Sequence, residues 1–221
     1  MHKQIIASAA LGLLVTAGFN TAANQTEIAN EVPASAKNIS PLLIGASVPE
    51  VTLRTADGEA FELSAAVSRK PAVLIFYRGG WCPYCNLHLG QLQEAEDDLV
   101  KLAYQILAVS PDRPARLAES VEKGNLTYTL LSDSAMDAAK AFGIAFRVAD
   151  ITVEKYKGYG IDLEDASGQE HHLLPVPAVF ILGTDGTVKF VYANPDYKAR
   201  LAPDVLLQAA ESALEQVSDD E

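Results

Sequence analysis

The chain contains two cysteines, Cys82 and Cys85, which lie three positions apart in the segment Trp81-Cys82-Pro83-Tyr84-Cys85. Two thiols at this spacing can cycle between a dithiol and a disulfide, because one attacks a substrate and the other closes the disulfide that releases it. A purely structural disulfide is the alternative. A loop this short stabilises a fold by only about 2 kcal/mol, and longer loops stabilise more, so the spacing favours redox chemistry.

The sequence around the pair predicts the local structure that activates a thiol. Residues 72–77 form a nearly continuous apolar run, which predicts a buried strand. From Cys82 onward, apolar residues recur at steps of three and four, which predicts a long helix. The first amide N–H groups of a helix have no intrahelical partner and carry about half a positive charge, so a thiolate at this end is stabilised. Cys82 is expected to be the better exposed thiol, and Cys85 the more sheltered one.

Arg78 lies four residues before Cys82 and introduces a fixed positive charge next to the predicted helix start. If its guanidinium faces the pair, it lowers the pKa of the reactive thiol. If it is a solvated loop cation, it has no such effect, and both interpretations stay open. Gly79 and Gly80 allow the backbone to approach closely just before the pair.

The rest of the pattern predicts one α/β domain. Further strands are predicted at residues 51–54, 61–63, 106–109, 128–131, 178–182 and 188–192, and further helices at residues 110–122, 134–142 and 203–217. Strands that alternate with helices favour a central mixed sheet flanked by helices, here with an N-terminal hairpin extension. Residues 145–174 contain a helical stretch near residues 150–156 and otherwise follow no clear period.

The N-terminus has the pattern of an exported protein. Lys3 provides a positive start, Ile5–Ala17 is apolar or small without a charge, and small residues up to Ala23 offer a cleavage site. The apolar run is shorter than the roughly 20 residues that a membrane span needs. We expect a periplasmic or secreted protein without stable membrane association. The expected segments are a signal peptide (1–23), a linker (24–40), a domain (41–217) and an acidic tail (218–221).

The composition argues against nucleic acid as a partner. The formal net charge is −12, and nucleic acid is a polyanion that must be met by clustered Lys and Arg, so we expect no nucleic-acid partner. Hydrophobic residues make up 49% of the 221 positions, which is enough for one domain with a full core.

The segment from Phe76 to Cys85 resembles the active-site segment of thioredoxin-fold proteins. From Pro41 to Leu214, the chain resembles the alkyl hydroperoxide reductase/thiol-specific antioxidant superfamily, and within it the peroxiredoxin-like group that carries a CxxC. The matching segments are Leu107–Asp112, Leu130–Asp133, Ala141–Gly143 and Phe180–Gly186. The resemblance implies a thioredoxin-like fold and a thiol oxidoreductase without cofactor or metal. It also implies a dithiol electron donor, such as a thioredoxin-like reductant.

The thioredoxin template makes Cys82 the attacking thiol. In that alignment Trp81 and Cys82 match the family's Trp and attacking Cys, and Cys85 matches the resolving Cys. Val176-Pro177 matches the Pro, cis in that family, which faces the disulfide. The family's buried carboxylate falls at Phe76, so its proton shuttle is missing. The inner dipeptide Pro83-Tyr84 is similar to that of glutaredoxins.

The peroxiredoxin template makes Cys85 the attacking thiol instead. Cys85 matches that family's peroxidatic Cys, while the family's Thr, Pro and Arg are replaced by Cys82, Arg78 and Pro177. The resemblance therefore implies a hydroperoxide or a protein disulfide as the oxidised substrate, and this choice stays open. A further alternative is a metal carrier, because His171 and His172 with the two cysteines supply ligand types that copper or zinc accepts.

Overall fold

The computed structural model describes residues 32–124 and 126–218, so the expected signal peptide and residues 219–221 lie outside the described residues. The strands are β1 (Thr52–Thr55), β2 (Ala60–Glu62), β3 (Ala72–Phe76), β4 (Gln105–Ser110), β5 (Thr129–Ser132), β6 (Ala145–Arg147), β7 (Leu173–Pro175), β8 (Ala178–Leu182) and β9 (Val188–Ala193). The helices are α1 (Leu63–Val67), α2 (Pro83–Lys101), α3 (Pro114–Gly124), α4 (Asp137–Ala141), α5 (Asp150–Gly158), α6 (Leu163–Ser167) and α7 (Pro203–Ser218).

A mixed sheet forms the centre of the fold, with the strand order β2-β1-β5-β4-β3-β8-β9. Strands β3, β4 and β5 are parallel to one another, and β8 joins β3 in the antiparallel direction. Strands β1 and β2 form the predicted antiparallel hairpin at one edge. The predicted thioredoxin-like α/β fold with a central mixed sheet is confirmed.

Strand β3 runs through the middle of the sheet and contributes to a hydrophobic core on each face. Leu74 and Phe76 belong to a cluster shared with residues of α1 and α4. Val73 and Ile75 belong to a second cluster, which contains residues of α2, α3 and α7. Successive strand residues point to opposite faces, so an uninterrupted apolar run is what a strand covered on both sides requires.

Two segments differ from the sequence prediction. Residues 33–40 do not form the predicted linker, since they contain a 3-10 helix and bond to the domain: Arg147 N–H donates to the Pro33 carbonyl, and Ser40 N–H to that of Gly143. Residues 145–175 contain β6 and β7, which pair with each other outside the main sheet. Three-residue strands carry too little periodicity to be detected from sequence alone.

Candidate active site

The thiol pair lies where β3 gives way to α2. Cys82 is the N-cap of α2 with an extended backbone, and Pro83 occupies the first turn, where its missing N–H costs nothing. The N–H groups of Cys85 and Asn86 donate to the Cys82 carbonyl. The predicted strand, turn and helix start are therefore present around the pair.

Both sulfur-bearing side chains are buried, with exposed fractions of 1% for Cys82 and 0% for Cys85. The expected order, with Cys82 the better exposed thiol, is kept only by this narrow margin, and neither side chain is open to solvent. Cys82 belongs to the same apolar cluster as Cys85 and Leu89, and Trp81 packs against that cluster. The N-cap position alone does not expose a side chain when the turn before it folds over the helix end.

Both cysteines are free, and their pKa values shift in opposite directions. The pKa of Cys82 is lowered to about 6, chiefly by a hydrogen bond from the Cys85 thiol, although burial opposes this shift. The backbone N–H of Cys85 and the charges of Arg78 and Arg200 contribute smaller parts of the same lowering. The same sulfur–sulfur hydrogen bond, followed by burial, raises the pKa of Cys85 well above its ordinary value. Near neutral pH the pair thus holds a thiolate on Cys82 and a thiol on Cys85.

Arg78 is a buried cation held by aromatic rings. Its guanidinium carbon lies 4.3 Å from the ring centre of Tyr197, 5.2 Å from that of Trp81 and 5.5 Å from that of Tyr156. Its Nη2 also donates a hydrogen bond to the Tyr156 hydroxyl. Within residues 32–124 and 126–218, no ion pair with a carboxylate involves Arg78. A buried charge needs a counter-ion, and the Cys82 thiolate provides one. The solvated-cation interpretation is therefore wrong.

Arg200 is a second cation at the pair, and the sequence offers no motif that would reveal it. Its Nη2 lies 3.5 Å from the Cys85 sulfur. The residue lies between β9 and α7, 115 positions away from Cys85 in the chain. The backbone N–H of Arg78 and the charge of Arg200 both act to lower the pKa of Cys85, against the larger opposing effects of Cys82 and burial.

Tyr84, Val176 and Pro177 are the remaining residues that the sequence predicts to shape the site. Tyr84 is 40% exposed, and its ring packs edge-on against Tyr197 at 5.7 Å. Val176 and Pro177 are buried directly before β8, where the pairing of Phe76 with Ala178 places Pro177 opposite Tyr77. The Val176–Pro177 peptide bond is trans, unlike the corresponding bond of the thioredoxin template.

The model of the AhpC/TSA family matches residues 44–191, which is more than half of the chain. The chain belongs to the AhpC/TSA family. This confirms the resemblance drawn from the sequence and makes the protein a thiol oxidoreductase of the peroxiredoxin type. The positive charge at the pair comes from Arg78 and Arg200.

Relatives of this AhpC/TSA protein include the putative peroxiredoxin bcp of Haemophilus influenzae, 32% identical over 106 residues, which cover 48% of the chain and 68% of the relative. Peroxiredoxin Q of Oryza sativa subsp. japonica is 27% identical over 150 residues, which cover 68% of the chain and 58% of the relative.

Solved structures share the AhpC/TSA fold at lower identity. Peroxidoxin BcpB from Mycobacterium tuberculosis superposes with a TM-score of 0.60 and 20% identity, covering 79% of this chain and 97% of that one. Reduced Prx3 from Vibrio vulnificus, solved with hydrogen peroxide, superposes with a TM-score of 0.63 and 18% identity, covering 76% and 99%. At these identities the structures establish the fold alone.

The two histidines of the metal-carrier alternative form hydrogen bonds to residues other than the cysteines. His171 Nε2 lies 2.8 Å from the Ser134 carbonyl oxygen, and His172 Nε2 lies 2.7 Å from Glu164 Oε1. Among the residues that the structure describes, no three His, Cys, Asp or Glu side chains are grouped to hold a metal ion. The geometry gives the metal-carrier alternative no support.

Residues 145–174 form a small cap beside the pair. Val148, Val153, Leu163 and Leu174 make a separate hydrophobic cluster, against which Trp81 and Tyr156 pack. The rings of Trp81 and Tyr156 lie 5.9 Å apart and face the Arg78 guanidinium. This cap, whose role the sequence does not reveal, helps to hold Arg78 in place.

Proposed function

We propose that this chain is a thiol peroxidase in which the Cys82 thiolate attacks the hydroperoxide first and Cys85 then closes the disulfide. The main observation behind this proposal is that a Cys82 thiolate and a Cys85 thiol are buried together, with Arg78 and Arg200 beside them. The names of the relatives, peroxiredoxin Bcp and peroxiredoxin Q, support the same substrate class.

The first step oxidises Cys82. The thiolate attacks the terminal oxygen of the hydroperoxide, the O–O bond breaks, and the departing alkoxide or hydroxide takes a proton to become alcohol or water. Arg78 and Arg200 offer fixed positive charge where negative charge develops on the departing oxygen, and preorganised charge in a buried site is an effective source of transition-state stabilisation. Cys82 is left as a sulfenic acid.

The second step joins the two sulfurs. Cys85 loses its proton and attacks the Cys82 sulfenic acid, the S–S bond forms as the S–O bond breaks, and the released hydroxide is protonated to water. A dithiol donor then reduces the disulfide by exchange and becomes a disulfide itself. We propose a thioredoxin-like protein as this donor.

Reduction of protein disulfides is the second candidate. The lowered pKa of Cys82 at a helix N-cap, in a Trp-Cys-Pro-Tyr-Cys segment, favours it because this is where thioredoxins keep their attacking thiol. Burial argues against it: with 1% of Cys82 exposed, a hydroperoxide can reach the sulfur with less rearrangement than a protein disulfide.

A comparison of two oxidised substrates tests the proposal. We expect the reduced protein to consume hydrogen peroxide catalytically with a dithiol reductant, and to reduce insulin disulfides at least about tenfold more slowly, because the buried sulfur reacts readily only with a small molecule. The measurement is the initial rate with each substrate at equal protein concentration, and the Cys82→Ser/Cys85→Ser double variant is the control. Faster reduction of insulin than of peroxide would refute the peroxidase assignment.

We propose further that the protein is exported. The support is the N-terminal pattern, which consists of Lys3, the apolar stretch Ile5–Ala17 and small residues before Asn24. Expression of the full chain in a bacterium should yield periplasmic protein whose N-terminal sequence begins near Asn24. Full-length protein that begins at Met1 and stays in the cytoplasm would contradict export.

A further inference from the structure

A cavity of about 400 Å³ adjoins the loop that carries the thiol pair, and neither of the proposed chemical steps uses it. Gly80 and Trp81, which directly precede Cys82, form part of its wall. Arg116 and Asp165 also line it, and they form an ion pair whose side chains are 37% and 45% exposed, so the cavity reaches the protein surface. Its volume lies in the range of roughly 300–1,000 Å³ that is typical of small-molecule sites.

Two buried hydrogen-bond donors belong to residues of the cavity wall, the Tyr77 hydroxyl and Trp81 Nε1. Neither atom has a hydrogen-bond partner among the residues that the structure describes, and Tyr77 as a whole is only 2% exposed. By contrast, Asn86 Nδ2 donates to the Gly80 carbonyl at 2.8 Å, and Ser120 Oγ donates to a carbonyl one turn earlier in α3. A buried donor without an acceptor is unfavourable, and a ligand oxygen that accepts from it removes this penalty.

Asp112 places a carboxylate oxygen close to the Trp81 donor. The residue lines the cavity, is 1% exposed, and its Oδ2 accepts a hydrogen bond of 2.7 Å from the Gly80 N–H. A Cβ built on Gly79 would lie 2.8 Å from Asp112 Oδ1 and 2.4 Å from Trp81 Nε1, so these two atoms are close enough for one ligand atom to contact both. A group that bridges them must donate to the carboxylate and accept from the indole N–H, as a hydroxyl does.

The charges of the cavity wall favour a neutral ligand over an anion. Four carboxylates and one arginine line the cavity, and this excess of negative charge repels an anionic group. The carboxylates belong to Asp112, Glu119, Asp162 and Asp165, and the arginine is Arg116. The apolar surface of the wall, against which the body of a ligand can pack, comes from Leu89, Leu126, Ile161 and Ala166. A cationic head could donate to a carboxylate, but it could not accept hydrogen bonds from the two unpartnered donors.

We propose that this cavity binds a neutral small alcohol, with its hydroxyl at the buried end and its apolar body toward the surface. The hydroxyl accepts a hydrogen bond from Trp81 Nε1 and donates one to Asp112 Oδ1, and its second lone pair is available to the Tyr77 hydroxyl. An occupant at this position contacts Gly80 and Trp81, the two residues that lead into Cys82. Alcohols released from organic hydroperoxides belong to this class of ligand, but binding does not depend on the proposed peroxidase cycle.

The fluorescence of Trp81 reports on binding, because Trp81 is the only tryptophan of the chain and lines the cavity. Titration of the reduced protein with benzyl alcohol should change this fluorescence in a saturable manner. Toluene has the same apolar body without the hydroxyl, and benzoate has a carboxylate in place of the alcohol group. We expect each of them to bind at least about tenfold more weakly, because toluene leaves the buried polar atoms unpaired and benzoate places an anion among carboxylates.

Gly90→Phe is the variant that blocks the cavity. Gly90 lies on α2 in the cavity wall, and a Cβ built there would meet no atom within 4 Å, so the helix can carry a large side chain that fills the space of the ligand. Gly158→Phe is the matched control, because Gly158 is a helical glycine of α5 with the same open surroundings and does not line the cavity. Gly90→Phe should weaken the binding of benzyl alcohol at least about tenfold, whereas Gly158→Phe should bind it like the wild type.

Several results would overturn this site. They are the absence of saturable binding of benzyl alcohol to the wild type, unchanged binding in Gly90→Phe, and binding of toluene, benzoate or the cation benzylamine that is as tight as that of benzyl alcohol. The ligand series on the wild type decides the question if Gly90→Phe does not fold. Because the titration uses no peroxide, a protein that binds benzyl alcohol but does not turn over hydroperoxides would contradict the proposed function and leave the alcohol site intact.

Discussion

The Cys82→Ser variant should lose peroxide turnover by about 10³-fold or more, whereas the Cys85→Ser variant should complete one oxidation and then stop. The first result follows because the thiolate is the nucleophile, and losing the nucleophile removes the chemical step. The second follows because serine at position 85 cannot close a disulfide, although its hydroxyl can still donate a hydrogen bond to the Cys82 thiolate. Peroxide consumption per protein, followed over time, distinguishes catalytic turnover from one equivalent and from none.

The two serine variants control for each other, since each removes one sulfur and keeps a small hydrogen-bonding side chain. The peroxiredoxin template predicts the reverse pattern, with Cys85 as the attacking sulfur. Retention of a full equivalent of peroxide consumption in Cys82→Ser, together with none in Cys85→Ser, would establish that reverse order. Arg200, 3.5 Å from the Cys85 sulfur, would then be the cation closest to the reacting thiolate.

The Arg78→Ala variant should raise the pKa of Cys82 and slow the reaction with peroxide at pH 7 by roughly 10²-fold. Arg78 is one of the positive charges that lower the pKa of Cys82, after the two hydrogen bonds from Cys85, so its loss leaves less thiolate at neutral pH. The variant also loses preorganised charge from the transition state, where one such group typically contributes about 10²–10³-fold. The rate of alkylation by a small reagent as a function of pH measures the pKa directly.

Two further variants show whether the charge of Arg78 or its packing matters. Arg78→Lys keeps the charge but loses the planar group that stacks among Trp81, Tyr156 and Tyr197, so its pKa shift should be smaller. Arg147→Ala removes an exposed arginine of β6 that donates to the His171 carbonyl, and it should leave the alkylation profile unchanged. An Arg78→Ala profile that coincides with the wild type would show that Arg78 does not act on the thiols.

Local patterns were sufficient to predict the strand, the turn and the helix start that carry the thiol pair. The apolar run of residues 72–77 and the helical period after Cys82 are local patterns that predict a strand and a helix. The structure has both elements, as β3 and α2. Sheet order follows less directly. It depends on pairing between distant strands, such as β3 with β8, which local sequence patterns do not encode.

The electrostatic environment of the pair could not be predicted in the same way. Arg200 reaches Cys85 from 115 positions away, and nothing in its local sequence marks it. Asp112 falls within the segment predicted as a helix, but α3 begins only at Pro114, and the loop before it turns the carboxylate toward Gly80. The burial of Cys82 also depends on residues distant in sequence, because cluster members from several elements surround it.

The order of attack is tested most directly by locating the sulfenic acid. Each serine variant is treated with one equivalent of hydrogen peroxide in the presence of a cyclic 1,3-diketone, which traps sulfenic acids, and the peptide that contains residues 81–85 is analysed by mass spectrometry. A stoichiometric adduct on Cys82 in the Cys85→Ser variant, with no adduct on Cys85 in the Cys82→Ser variant, is the predicted result. An adduct on Cys85 in Cys82→Ser and none on Cys82 in Cys85→Ser would contradict it.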